Sequence, residues 1–171
     1  MTQNGDSGEG IDPVWLNAQE RTLWLSLTSV LMKLPTALDA QLQKSAELTF
    51  FEYLLLAMLT EQPTKTLKMS ELAEVTNASL SRLSHVARRL EARGLLERSE
   101  DATDRRCTNA TVTTTGVALV EASALEHVRT VRRLVIDAVG PHGVASLSEG
   151  CQAIAEAIDP GGRRSLRPDC S

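Results

Sequence analysis

Apolar residues recur at three- and four-residue spacings through Trp15, Leu16, Leu23, Trp24, Leu27, Val30, Leu31 and Leu34, which is the signature of one helical face. Asp12 can cap this helix and Pro13 suits its first turn, so a first helix is expected over residues 11–44. Pro35 has no amide hydrogen, and a kink or interruption is expected there before Leu38 and Leu42 continue the stripe. The next run, TFFEYLLLAMLT over residues 49–60, is almost wholly apolar. Thr49 followed three residues later by Glu52 is a capping-box pattern, so this helix should be buried.

From residue 68 to 116 the pattern changes rhythm. Leu67 and Met69 suit a short strand or bridge, and Ser70 is a cap candidate for a short helix carrying Leu72 and Ala73 inward. Thr76-Asn77-Ala78 reads as a turn, because Asn is among the few residues other than Gly that tolerate a left-handed backbone. Ser79 then caps a helix to about Arg93, with Leu83, Val86 or Ala87, and Leu90 facing inward and Gly94 as its stop. Ser81, Arg82, Ser84, His85, Arg88 and Arg89 face solvent. Residues 95–99 and the threonine-rich 108–113 read as two strands around an Asp104-Arg105-Arg106 tip.

Thr113 caps a helix over residues 116–139, ended by Gly140-Pro141, and a final helix spans residues 144–158 with Leu147, Cys151, Ile154 and Ile158 on one side. The fold class is thus mainly α: a winged helix-turn-helix with a two-stranded β wing and a terminal helical region. Residues 1–11 and 159–171 read as flexible tails, 48–113 as the winged-helix region, and 12–44 with 114–158 as a helical dimerisation region. Long apolar helices outside the central module need a partner surface, and packing against a second copy is favoured over capping a monomer's own core.

Charge adds little to this picture. The net charge of −4 excludes a uniformly basic coat, and residues 68–106 carry eight Lys/Arg against seven Asp/Glu, so geometry has to carry any nucleic-acid reading. Three cysteines, Cys107, Cys151 and Cys170, show no metal-ligand spacing. No apolar run reaches the roughly 20 residues needed to cross a bilayer, and a cytoplasmic protein without membrane association is expected. His85, His127 and His142 stand in separate contexts with no catalytic constellation around them, so no enzyme activity, cofactor or metal is expected.

The order helix, turn, helix, hairpin is that of a duplex-DNA reader. The residue 79–93 helix offers small hydroxyls and long donors at its N-terminal half for the major groove, and arginines further on for phosphates. Taken alone, the same face reads equally well as an ordinary solvated helix surface. At the wing, one arginine can enter the minor groove while the other braces Asp104; Arg105 is preferred as the contact and Arg106 as the brace.

Leu72-Ala73, Ser79, Ser84, Leu90-Glu91, Arg93-Gly94-Leu95, Arg98, Asp104, Arg106 and the Thr113/Gly116 helix start together resemble the MarR family of bacterial winged-helix transcriptional regulators, over residues 12–158. No single element is specific; their order and spacing are. The resemblance implies six helices and a wing, a homodimer built by the first and last two helices, and binding of double-stranded operator DNA by the centre. By position it assigns Ser79, Ser81, Arg82, Ser84, His85 and Arg89 to the DNA, with Arg105 or Arg106 at the wing. Asn77 replaces a frequent Gly, and His85 an often basic residue, so base preference does not transfer. The family also implies a small-molecule effector in a cleft, for which Trp15, Arg21, Trp24, Phe50 and Tyr53 are the candidates, although core packing of the aromatics and solvent exposure of Arg21 are the favoured readings of these residues. Family members that sense peroxide carry their reactive cysteine near the first helix, where this chain has none; Cys107 reads as an ordinary thiol and Cys151 as a packing residue. The function expected is a homodimeric, sequence-specific, ligand-responsive repressor. The alternative is a winged-helix protein-interaction module without sequence-specific DNA binding.

Overall fold

The computed structural model describes residues 15–101, 104 and 106–160. The expected tails, the Asp12-Pro13 start, Arg105 and Cys170 lie wholly or largely outside the described residues. Contacts divide the chain into two units, Met1–Leu34 and Pro35–Ser171.

The first unit holds the start of α1 (Ala18–Ala46). Its beginning is set by a reciprocal cap: Asn17 Oδ1 accepts from the Glu20 amide at 2.9 Å, and Glu20 Oε2 accepts from the Asn17 amide at 2.7 Å. Two of the orphan amides of the first turn are thereby satisfied. Trp15, expected on the helical stripe, consequently precedes the helix and is 82% exposed. Leu23, Trp24, Leu25, Leu31 and Met32 are also exposed. Pro35 lies inside α1 rather than ending it; its missing amide removes one rung of the helix without stopping it.

The second unit contains the core. Leu38, Leu42 and Ala46 of α1 are buried, and α2 (Phe50–Glu61) follows through a tight connection. Thr49 Oγ1 accepts from the Glu52 amide while Glu52 Oε2 accepts from the Thr49 amide, completing the expected capping box. Asp39 Oδ1 takes the Phe50 amide at 2.5 Å. Next come β1 (Thr66–Lys68) and α3 (Met69–Val75). Ser70 is not the cap of α3: the helix opens at Lys68, whose amide donates to the Glu71 carboxylate at 3.3 Å.

Asn77 turns the chain with φ 48°, and Ser79 Oγ receives the Arg82 amide to open α4 (Leu80–Ala92). Leu83, Val86, Ala87 and Leu90 are buried, as their spacing predicts. Gly94, at φ 68°, ends α4 in the left-handed region that favours glycine. Strands β2 (Leu96–Glu100) and β3 (Thr108–Val112) form the wing. The sheet has three strands in the order β1-β3-β2, all antiparallel, with Thr66 opposite Thr111 and Arg98 opposite Ala110. The hairpin thus leans on β1 and is anchored to the core through the buried Ala110 and Val112.

Thr113 caps α5 (Thr114–Val131) by accepting from the Gly116 amide at 3.0 Å, and its hydroxyl donates to the Gly94 carbonyl at 2.7 Å. A π-helical turn, Arg132–Ile136, leads into α6 (Asp137–Ile158). The backbone breaks at Gly140 (φ 68°, ψ 172°), and helix resumes there rather than near Val144. Cys151, expected to pack, is exposed, as are Leu147, Ile154 and Ile158 on the same stripe; α6 has no buried residue in the single chain.

Gly116 is a closure point. A Cβ there would stand 2.2 Å from the Leu95 carbonyl oxygen and 2.7 Å from a Val112 methyl, too near for backbone to yield. Gly116→Ala is expected to lower unfolding free energy by about 2–3 kcal/mol, read as a lower urea midpoint at unchanged slope.

Candidate nucleic-acid interface

Helix α4 sorts its own side chains. At about 100° per residue, Leu83, Val86, Ala87 and Leu90 form one buried arc. Ser81, Ser84, His85 and Arg88 gather on the opposite arc and point away from the core; Ser81, His85 and Arg88 are exposed and Ser84 is partly so. Arg88 Nε lies 3.4 Å from the Ser84 carbonyl oxygen, one turn back on the same face. Ser79 is engaged as the cap.

Arg82 and Arg89, two turns apart, share one flank and are held by consecutive residues in the first turn of α2. Arg82 places its guanidinium 4.5 Å from the Phe51 ring centroid. Arg89 Nη2 donates to Glu52 Oε1 at 2.5 Å. The Glu52 side chain is 5% exposed and that of Arg89 50%. Burial alone would raise the Glu52 pKa; the Thr49 amide, the Arg89 hydrogen bond, the Thr49 hydroxyl and the Arg89 charge outweigh it and hold the carboxyl below the usual range. Arg93 meanwhile donates to the Glu47 carbonyl at 2.8 Å and lies 3.4 Å from that of Ala46, occupying the carbonyl end of α1.

The other flank of α4 faces the wing. Leu80, Ser84, Ser70, Arg98, Arg106 and Thr108 line a groove of about 260 Å³ together with Met69 and Cys107. The structure therefore brings Arg106 to the same groove as Ser84. Glu91 accepts from Arg98 Nη2 at 2.6 Å and Nε at 3.0 Å, tying β2 to α4. At the tip, Asp101 Oδ1 accepts from the Asp104 amide and Asp104 Oδ1 from the Arg106 amide, each at 3.0 Å. Asp104 Oδ1 thus engages the Arg106 main chain, and the Arg106 side chain is exposed. Arg105, the preferred minor-groove residue, lies outside the described residues.

Cys107 Sγ lies 3.6 Å from Asp104 Oδ2. Burial, and then the Asp104 charge, push its thiol up, which disfavours the reactive thiolate. Among the described residues no group of His, Cys, Asp and Glu is arranged to hold a metal, and no helix is long and apolar enough to cross a membrane.

Of the effector candidates, Trp15, Arg21 and Trp24 belong to the first unit and Phe50 and Tyr53 to the second. His127 joins the latter pair: its ring centroid is 4.5 Å from that of Tyr53 and 6.0 Å from that of Phe50, and Nδ1 lies 3.1 Å from Gln41 Oε1. Burial pushes the His127 pKa down, favouring the neutral ring. Sequence reading missed His127, Phe51 and Leu80. The first two act through tertiary contacts, whereas Leu80, 55% exposed at the first position of α4, was visible as an apolar residue outside the buried spacing.

The family model described as "MarR family" matches residues 48–108, the span from the α2 cap into the wing. The chain is similar to Sco3205, a MarR family transcriptional regulator from Streptomyces coelicolor solved in complex with DNA. The two share 36% identity and a TM-score of 0.84, over 89% of this chain and 95% of that one. AbsC, a MarR family transcriptional regulator from the same organism, shares 34% identity over 85% and 97%, with a TM-score of 0.80. The organohalide-sensing regulator RdhR-CbdbA1625, solved in its 2,4-dichlorophenol-bound form, shares the fold at 14% identity, with a TM-score of 0.75 over 96% and 98%. No curated protein matched the chain. The chain belongs to the MarR family of winged-helix, DNA-binding transcriptional regulators, and such regulators are not enzymes.

The Glu52–Arg89 pair has a defined pH signature. With its folded pKa below the ordinary 4.5, Glu52 contributes stability that is present above that value and is lost as pH falls through the lower folded value. Glu52→Gln is expected to cost about 1–2 kcal/mol at pH 7, discounted for the half-exposed arginine. The gap from wild type should close below pH 4.5, as followed by urea unfolding at stepped pH.

Proposed function

We propose that the protein is a homodimeric, sequence-specific repressor that places α4 of each copy in the major groove of a pseudo-palindromic operator and lays its wings along the flanks. The observation that carries this reading is the α4 face opposite the core, where Ser81, Ser84, His85 and Arg88 collect with no core-packing role. Small hydroxyls, an imidazole and a guanidinium supply hydrogen-bonding groups for base edges and phosphates. The DNA-bound state of Sco3205 supports this over a protein-interaction module. At the wing, Arg105 and Arg106 are the minor-groove candidates.

The second copy follows from uncovered apolar surface. Leu125, Val128, Leu147, Ile154 and Ile158 of α5 and α6 are exposed, as are Leu23, Trp24 and Leu31 in the first unit. Surfaces of this kind mark association sites. Regulation by a small aromatic or phenolic effector is the further part of this reading: Phe50, Tyr53 and His127 offer aromatic faces, with Trp15, Arg21 and Trp24 as the candidates in the first unit. An effector releases DNA only by binding better to a dimer whose two readers are mis-spaced.

Genomic pull-down with the full chain, then footprinting on the recovered duplex, should show two protected half-sites about 34 Å apart. Sedimentation should give a dimer, and a panel of phenolic and aromatic acids should contain a ligand that weakens the complex. Equal binding to operator and scrambled duplex would contradict the reading.

A further inference from the structure

We infer that Arg82 is a phosphate clamp positioned by Phe51 rather than a reader of bases, an assignment that rests on the DNA-binding reading above. Arg82 leaves α4 on the flank next to α2, about a quarter turn from the Ser81, Ser84, His85 and Arg88 arc. Its guanidinium lies 4.5 Å from the Phe51 ring centroid. A cation over an aromatic face is attracted by the ring quadrupole, most strongly where water is partly excluded. This contact restricts the long side chain before DNA arrives.

The surrounding residues fix where that arginine is held. Phe51 packs against the core of the second unit and sits in the turn of α2 pinned by the Thr49–Glu52 capping box. On the same flank, Glu52 holds Arg89 through an ion pair. A helix set into the major groove by its outermost arc brings its flanks toward the sugar-phosphate walls. On that flank Arg82 is the arginine with its charge uncompensated by the α2 carboxylate that Arg89 engages. Its position suits an interaction that fixes register without carrying base information.

The test measures affinity of the full-length protein for its recovered operator, for single-base-pair variants and for scrambled duplex, each across a range of salt concentrations. Arg82→Ala is expected to weaken all duplexes by a common factor of roughly tenfold and to reduce the log–log salt slope by about one for each phosphate that Arg82 neutralises. Phe51→Leu should cost roughly two- to fivefold, Phe51→Tyr should restore wild-type binding, and Phe51→Leu should add nothing on the Arg82→Ala background. Thermal unfolding checks that Phe51→Leu remains folded; should it not, the exposed Arg82→Ala and the ring-preserving Phe51→Tyr decide the matter. Loss of preference at one base-pair position in Arg82→Ala, an unchanged salt slope, or equal Phe51→Leu losses with and without Arg82 would overturn the assignment. Wild-type protein that does not distinguish operator from scrambled duplex would instead defeat the sequence-specific reading.

Discussion

A carboxylate that is nearly enclosed must be surrounded by donors or it destabilises the fold, and Glu52 meets that condition where the start of α2 meets α4. Its oxygens take the Thr49 amide, the Thr49 hydroxyl and the Arg89 guanidinium. The first interaction opens α2, and the last ties α4 to it. Because Arg89 remains half exposed, the pair is held by convergent hydrogen bonds more than by a charge pair sealed from water. Removing either partner would loosen α4 against the core while leaving its apolar packing in place.

That restraint determines which side chains α4 presents. One arc is consumed by the core, one flank by α2 through Phe51 and Glu52, and the other by the wing through the Glu91–Arg98 pair. What remains is a narrow outward arc of short or partly extended polar groups. The wing is held on the same principle: Ala110 and Val112 anchor β3 inward, while the Asp101 and Asp104 carboxylates accept the Asp104 and Arg106 amides. The outward arc of α4 is thereby bounded by contacts on each of its other sides.

Much of this was legible in the residues because it is local. The caps at Thr49, Ser79 and Thr113, the left-handed Asn77 and the buried spacing of α4 depend on neighbours within a few positions. The Ser70 expectation failed although the correct signal was present: Glu71 is three residues beyond Lys68, the capping-box spacing, and its carboxylate reaches back. Trp15 was placed in a helix because its spacing fitted the stripe, while the Asn17–Glu20 cap starts the helix later. The Phe51–Arg82 contact and the Tyr53–His127 pairing join residues far apart in sequence, so no periodicity announces them. Cys151 was read as packed because its stripe is apolar, but a stripe reveals that a partner is needed and not that the same chain provides it.

The most direct test of the outward arc is the binding preference of Ser81→Ala combined with His85→Ala. Both side chains are exposed, so the fold should persist, as thermal unfolding can verify. Affinity should be measured against every single-base-pair variant of the recovered operator. The expected result is loss of discrimination at one or two base pairs in each half-site, worth about 1–3 kcal/mol each, with affinity for scrambled duplex unchanged. Undiminished discrimination at every position, or a uniform loss on all duplexes, would contradict the assignment of this face as the reader.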